Sequence, residues 1–293
     1  MESLLLIKKT GKINQMAHIN LAVPTFIKWA GGKTQMLTKY SLMFPKQFNN
    51  YFETFLGSGA VFFYIKKKFN PNYSFISDIN KDLINTFKAI RDNPEELIKL
   101  LKEHKAKDNN RIYFENQREE FNKMKDGIEK AGIFIYLNKT CFNGLYRVNS
   151  KGGFNVPFGK YKNPAILQEH KIREASKLLQ DVEISTLNFD LITNKVDKND
   201  FIYFDPPYYP LSKTSSFTSY HNEVFLEKEQ EQLAAIFRKL DKKGCFVMLS
   251  NSDTHFIKNL YKDYKITTLK ARRMINCLGT KRGLINEIVV TNY

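Results

Sequence analysis

Phe55-Leu56-Gly57-Ser58-Gly59 closes a β-branched and aromatic run over residues 51–55 and opens a helical pattern over 58–69. Glycines at a strand-to-helix turn let the backbone pass close to a ligand held over the carboxyl end of a sheet. Nineteen residues past Gly59, Asp78 ends the next strand-like run in Ser77-Asp78-Ile79-Asn80. A carboxylate there can hydrogen-bond the ribose hydroxyls of an adenosine moiety. A dinucleotide fingerprint wants a third small residue at position 62, where Phe62 stands. S-adenosylmethionine has no pyrophosphate to seat on the helix N-terminus and tolerates that departure. A turn that binds nothing remains the competing reading for the glycines alone.

Outward from this turn, short strand-like runs alternate with helical ones, the pattern of a mostly parallel sheet. Strands are expected at 51–55, 74–77, 182–187, 201–204, 245–250, 265–272 and 287–292, with helices at 58–69, 81–91, 223–240 and 253–261. Pro94-Glu95-Glu96 reads as the first turn of another helix. Residues 91–182 break the alternation. Within them Asn149-Ser150-Lys151-Gly152-Gly153 is a turn signal flanked by 145–148 and 154–156, so this interval is expected to be an inserted helical lobe carrying a basic β-hairpin. The expected fold is α/β, a Rossmann-like seven-stranded sheet. The expected division is an arm over 1–20, a catalytic domain over 21–92 and 182–293, and the insertion over 93–181.

Phe201-Ile202-Tyr203-Phe204-Asp205-Pro206-Pro207-Tyr208-Tyr209 delivers an acid from an apolar strand to the carboxyl edge of the sheet. The two prolines stiffen the backbone and carry no N–H. Two acceptors result, the Asp205 carboxylate and the Pro206 carbonyl, followed by the aromatic face of Tyr208. An exocyclic amine on a base is a poor nucleophile because its lone pair is delocalised into the ring. Acceptors aimed at both of its hydrogens favour a tetrahedral nitrogen whose lone pair points at a methyl donor. That is catalysis by positioning and electrostatics. The Tyr208 face can stack on a base extruded from a duplex.

The net charge of +16, from 46 Lys and Arg against 30 Asp and Glu, is unevenly spread. Residues 3–52 hold seven lysines and no acid, 130–168 six basic residues and no acid, and 264–286 again six and none. The remainder is near neutral. Acid-free blocks of this kind point to a polyanion partner, namely nucleic acid. Cys141, Cys245 and Cys277 stand far apart, and the five histidines show no ligand spacing, so neither a disulfide framework nor a metal site is expected. No apolar run approaches the ~20 residues of a membrane span. The Leu4–Ile7 run is too short for a signal-peptide core, and a cytosolic protein is expected.

Phe26-Ile27-Lys28-Trp29-Ala30-Gly31-Gly32-Lys33 combines the single tryptophan with a glycine pair and two lysines. It could be a plain turn behind an aromatic core residue, or it could place the Lys33 ammonium against a carboxylate such as the methionyl one. With these motifs the chain resembles the Dam-type (D12 class, group alpha) adenine-N6 DNA methyltransferases, which include GATC-modifying enzymes of restriction systems. The resemblance also rests on Phe142-Asn143-Gly144-Leu145-Tyr146-Arg147, on 154–161, and on Phe217-Thr218-Ser219-Tyr220. It implies S-adenosylmethionine contacts at Trp29, Lys33, Phe55, Gly57, Gly59, Asp78 and Asp205, with Asp205, Pro206, Pro207 and Tyr208 at the reacting base. It implies double-stranded DNA contacts at Lys28, Phe142, Asn143, Leu145, Arg147, Pro157 and Tyr161. The hairpin would enter the major groove, with the Arg147 fork on a guanine. Phe142 stands where some relatives carry Tyr, and Phe can still wedge into the gap left by a flipped base. A monomer is expected, and a restriction endonuclease is a possible genetic companion. Cytosine-N4 enzymes usually begin the four-residue motif with Ser, so Asp205 favours adenine over that rival. Three further readings compete: an RNA methyltransferase, a decayed non-catalytic DNA binder and a dehydrogenase.

Overall fold

The computed structural model describes residues 22–107, 109–211, 225–272 and 284–293. The expected arm over 1–20, the Phe217–Tyr220 motif, Cys277 and much of the third basic block lie outside them. Among the described residues seven strands form one sheet in the order β3-β2-β1-β4-β5-β7-β6, all expected from the sequence. They are β1 (Tyr51–Glu53), β2 (Ser74–Asp78), β3 (Val182–Thr186), β4 (Phe201–Phe204), β5 (Phe246–Ser252), β6 (Lys265–Arg272) and β7 (Leu284–Thr291). β7 runs antiparallel to both β5 and β6, and the other pairings are parallel.

Alternation along the strands separates two cores, as the period of two requires. Tyr51, Ile76, Phe201, Tyr203 and Met248 face one side, toward α1 (Leu37–Tyr40), α2 (Ala60–Phe69) and α3 (Lys81–Asp92). Phe52, Phe75, Ile202, Phe204, Val247 and Leu249 face the other, toward α8 (Glu227–Lys242) and α9 (His255–Leu260). α2 begins two residues later than expected because Gly59, at φ +69°, takes the N-cap position in a left-handed conformation. Asn80 caps α3 by accepting from the Leu83 N–H at 3.0 Å. Phe62, at the position that spoke against a dinucleotide, is fully buried beside Phe63.

Between α3 and β3 the chain forms α4 (Pro94–Ala106), α5 (Arg111–Lys123), α6 (Ile128–Thr140) and α7 (Glu169–Leu179). Pro94 opens α4 with Glu95 and Glu96 in its first turn, where acids suit the helix dipole. α6 is buried almost all round, packing on α3, α4 and α5, so the first core runs without a break from the sheet into these helices.

The loop from 141 to 159 turns at Asn149–Gly153, as expected. The Asn149 carboxamide oxygen accepts from the N–H groups of Lys151 and Gly153, both at 3.0 Å, and Gly152 adopts φ +80°. Its limbs are joined by isolated antiparallel bridges, Val148 with Phe154 and Cys141 with Phe158, rather than by a long ladder. One limb pairs instead with α5. The Asn122 amide accepts from the Phe154 N–H at 2.8 Å and donates to its carbonyl at 3.1 Å, standing in for a strand partner. No helix among the described residues is long and apolar enough to cross a membrane.

Lys139 on α6 is 6% exposed, and burial together with Lys171 and Lys28 pushes its pKa down to about 8. A folded pKa below the unfolded value means the charge costs stability, on the order of 3 kcal/mol at full strength. The cost is complete below about pH 8 and fades as pH climbs toward the usual lysine range. Lys139→Met is therefore expected to raise the unfolding free energy at pH 7 by on the order of 1–3 kcal/mol, with the gain shrinking above pH 9. Denaturant titrations across pH measure this, and a less stable variant at pH 7 refutes it.

Candidate active site

β1 and β4 are neighbours in parallel register, Tyr51 beside Phe201 and Glu53 beside Tyr203. The connections leaving their carboxyl ends therefore emerge side by side at the point where strand order reverses, the place where open α/β sheets bind ligands. One connection is the glycine turn and the other is Asp205-Pro206-Pro207-Tyr208. Together with Asp78 at the end of β2 they line a cavity of about 1270 Å³. Trp29, Lys33, Phe55, Gly57, Asp78, Asp205, Pro206, Pro207 and Tyr208 all line it. Gly59 lies just behind, where an added Cβ would come within 3.1 Å of Phe63 and Phe87.

The glycine turn is held by the acid that the sequence paired with it. The Gly57 N–H donates to Asp78 Oδ2 at 3.1 Å, and the Asn80 N–H donates to Oδ1 at 3.0 Å. Gly57 has φ +51°, and a Cβ there would sit 2.8 Å from Trp29 Cδ1. The Cδ1–Nε1 edge of the indole thus packs against the turn at a distance that only glycine permits. These groups suit an adenosyl ligand: a flat aromatic wall, a carboxylate at the end of β2, and a backbone cradle.

Lys33 meets a carboxylate within the chain. Its ammonium, 5% exposed, donates to Asp205 Oδ2 at 2.6 Å and to the Gly31 carbonyl at 2.7 Å, and it lies 4.9 Å from the centre of the Tyr208 ring. The carboxylate it meets is the catalytic candidate of this chain itself. Asp205 Oδ1 accepts from Ser250 Oγ at 2.7 Å, and Ser250 contacts the Tyr203 hydroxyl at 3.0 Å. Both oxygens are oriented, one by the buried cation and one by the Ser250 hydroxyl. The Pro-Pro-Tyr segment is held just as firmly. Gln230 donates to the Pro207 carbonyl at 3.0 Å, Tyr209 N–H donates to Asn251 at 3.1 Å, and Ser252 donates to the Tyr209 carbonyl at 2.7 Å. Among the described residues, none donates to the Pro206 carbonyl, leaving it to a ligand.

Sequence reasoning missed the acids beneath this cation. Glu53, 2% exposed at the end of β1, lines the cavity, and burial raises its pKa well above the usual carboxylate range. Glu287 on β7 is raised likewise by burial and accepts from the Tyr40 hydroxyl. Each looked like an ordinary strand residue. For Glu53 the available signal was an acid inside an otherwise apolar strand leading into the glycine turn.

The expected DNA residues gather on the rim, at the loop 141–161. Asn138 on α6 builds that rim, accepting from Lys28 N–H at 2.8 Å while donating to the Lys28 and Gly144 carbonyls at 2.7 and 3.1 Å. Gly144, at φ +62°, lies against the Lys28 side chain, where a Cβ would come within 2.6 Å. The Lys28 ammonium sits 4.1 Å over the Tyr161 ring. Arg147 Nε donates to Asn155 Oδ1 at 2.7 Å and Nη2 to the Asn155 carbonyl at 3.1 Å. This uses one edge of the guanidinium and leaves the Nη1–Nη2 end for a further partner. Phe142 is 46% exposed, Asn143 takes φ +55°, and Pro157 is exposed. Leu145 differs: at 6% exposed it lies among the cavity-lining residues rather than on the open rim.

A cavity that joins a nucleoside cradle to an Asp-Pro-Pro-Tyr edge defines an amine-directed methyltransferase site. Residues 29–275 match the family model described as D12 class N6 adenine-specific DNA methyltransferase, and the chain belongs to that family. It is 44% identical to the type II methyltransferase M.MjaIII of Methanocaldococcus jannaschii over 93% of this chain and 100% of that one. It is 42% identical to the type II methyltransferase M1.LlaDCHI of Lactococcus lactis, covering 95% and 98%. The DNA adenine methylase of Escherichia coli is 34% identical, covering 90% and 93%.

Trp29 is the single tryptophan, so its emission reports on this cavity. Gly57→Ala should displace the indole, shift its emission in the free protein, and weaken S-adenosylhomocysteine binding at least about tenfold, the effect of roughly 1.4 kcal/mol of lost contact. Unchanged emission and affinity would count against the cradle.

Proposed function

We propose that the protein transfers a methyl group from S-adenosylmethionine to N6 of an adenine flipped out of duplex DNA, within GATC. The observation that carries the reading is the placement of Asp205 and the Pro206 carbonyl beside the glycine turn in one cavity. Trp29, Asp78 and Glu53, which line one cavity, would hold the cofactor, whose ammonium would favour the ionised form of Glu53 that burial disfavours in the free protein. The cofactor supplies an electrophilic methyl. The protein's own part is to fix the amine: Asp205, set by Lys33 and Ser250, accepts one N–H, Pro206 accepts the other, and Tyr208 stacks on the base.

Duplex DNA as the partner is supported by the rim. The Lys28 ammonium stands over the Tyr161 ring on that rim. A lysine there can neutralise a phosphate of the backbone. Arg147, Lys28, Asn143, Phe142, Pro157 and Tyr161 then fall on the face toward the groove, with the free end of the Arg147 fork suited to guanine O6 and N7. GATC follows from the resemblance of this hairpin to the GATC-modifying enzymes. The helices and loop over 93–181 would serve as the target-recognition lobe. The type II names of two relatives favour a modification enzyme paired with an endonuclease.

Tritiated methyl transfer to duplexes carrying GATC or single-base variants, followed by nucleoside analysis, tests this. Label in N6-methyladenine, confined to GATC, is expected; label in cytosine, or equal label in the variants, overturns it. Asp205→Ala should lower kcat by about 10²–10³. Arg147→Ala should cost roughly 1–3 kcal/mol on the cognate duplex while barely changing non-specific binding. An unaltered preference among GATC variants removes Arg147 as the reader.

A further inference from the structure

Leu145, Tyr146 and Val148 of the hairpin line the cavity rather than the open rim. Arg147 turns toward Asn155 on the opposite limb, whereas its neighbour Tyr146 turns into the nucleoside cavity. The Tyr146 ring stacks on Trp29, centroids 6.0 Å apart and planes 28° from parallel. Its hydroxyl donates to Asp82 Oδ2 at 2.6 Å, and the other Asp82 oxygen is paired with Lys130 at 2.8 Å. Asp82 belongs to the first turn of α3, four residues beyond Asp78. Tyr146 is therefore fastened at its ring to the indole that lies on the glycine turn, and at its hydroxyl to the helix that follows the expected ribose-binding acid.

We propose that Tyr146 is a positioning residue that couples filling of the cofactor cavity to the setting of the DNA-facing hairpin. The inference rests on the proposed function, in which Trp29 and Asp78 hold the cofactor and the hairpin lies against DNA. A ligand pressed on Trp29 restrains the ring stacked behind it, and the bond to Asp82 stops that ring from swinging out. The peptide link to Arg147 then carries the restraint to the base-reading side. Coupling of this kind is reciprocal, so DNA on the hairpin tightens the cofactor by the same factor.

The test first leaves DNA out. Hydrogen exchange of amides 145–156 is followed with and without S-adenosylhomocysteine in the wild type, in Tyr146→Phe, which keeps the ring and loses the hydroxyl, and in Asp82→Asn. The ligand should slow exchange of the wild-type hairpin by about 5-fold or more, the lower range of ordinary coupling, and much less in either variant. In a second step, the ratio of duplex affinities with and without S-adenosylhomocysteine should be about 5-fold or more in the wild type and close to 1 in the variants. These ratios are insensitive to a general loss of stability, and Asp82→Asn carries the test should Tyr146→Phe fold poorly. Exchange that the ligand leaves unslowed in the wild type, or slows equally in both variants, overturns the inference. Loss of the exchange effect in the variants with an unaltered affinity ratio supports the link, and removes the DNA reading of the hairpin instead.

Discussion

The parallel register of β1 against β4 is the constraint on which the site depends. Glu53 lies beside Tyr203, so the strands end within about one residue of each other and send their connections over the same edge. A slip of one residue in this parallel pair would turn either Tyr51 or Tyr203 toward the other core. Both tyrosines are buried on the α2 side, Tyr203 against Tyr40 and Tyr51 against Phe201, which itself packs on Phe44 and Phe48. Burial of these large side chains therefore holds the register, and the register holds the chemistry. The hydrophobic core acts on function through this geometry.

Charge beneath the site follows from the same placement. Asp205, Glu53 and Glu287 approach one another at the sheet edge, and burial pushes Glu53 and Glu287 toward the neutral acid. Lys33 enters from the segment before β1 and favours the ionised forms of Glu53 and Glu287 while bonding Asp205 directly. The result is graded: Glu53 and Glu287 are shifted upward, while Asp205 is bonded by both Lys33 and Ser250. An acceptor for an amine hydrogen must be correctly turned, and the two bonds serve that need.

Much of this was legible in the sequence because it is local. Alternation located all seven strands, and the motif order located both connections of the site. Where boundaries moved, local backbone chemistry explains it, as with Gly59 delaying α2 and the short bridges of the hairpin giving way to Asn122. The Asp-Pro-Pro-Tyr run was readable because proline removes donors wherever it stands. Ser250, Asn138 and Asn122 were not readable, since each is an unremarkable polar residue until its partner arrives from elsewhere in the chain.

By itself the sequence determined the strand and helix periods, the glycine turn, the acid at the end of β2 and the two acceptors at the end of β4. It also determined the acid-free basic blocks. Each of these is set by residue type over a few neighbouring positions. Only the tertiary structure decided that Lys33 meets Asp205 across 172 residues, that Tyr146 bonds Asp82, and that Lys139 is buried beside other cations. Such pairings depend on which helix covers which face of the sheet, and that is settled by packing the whole core at once. No local pattern records it.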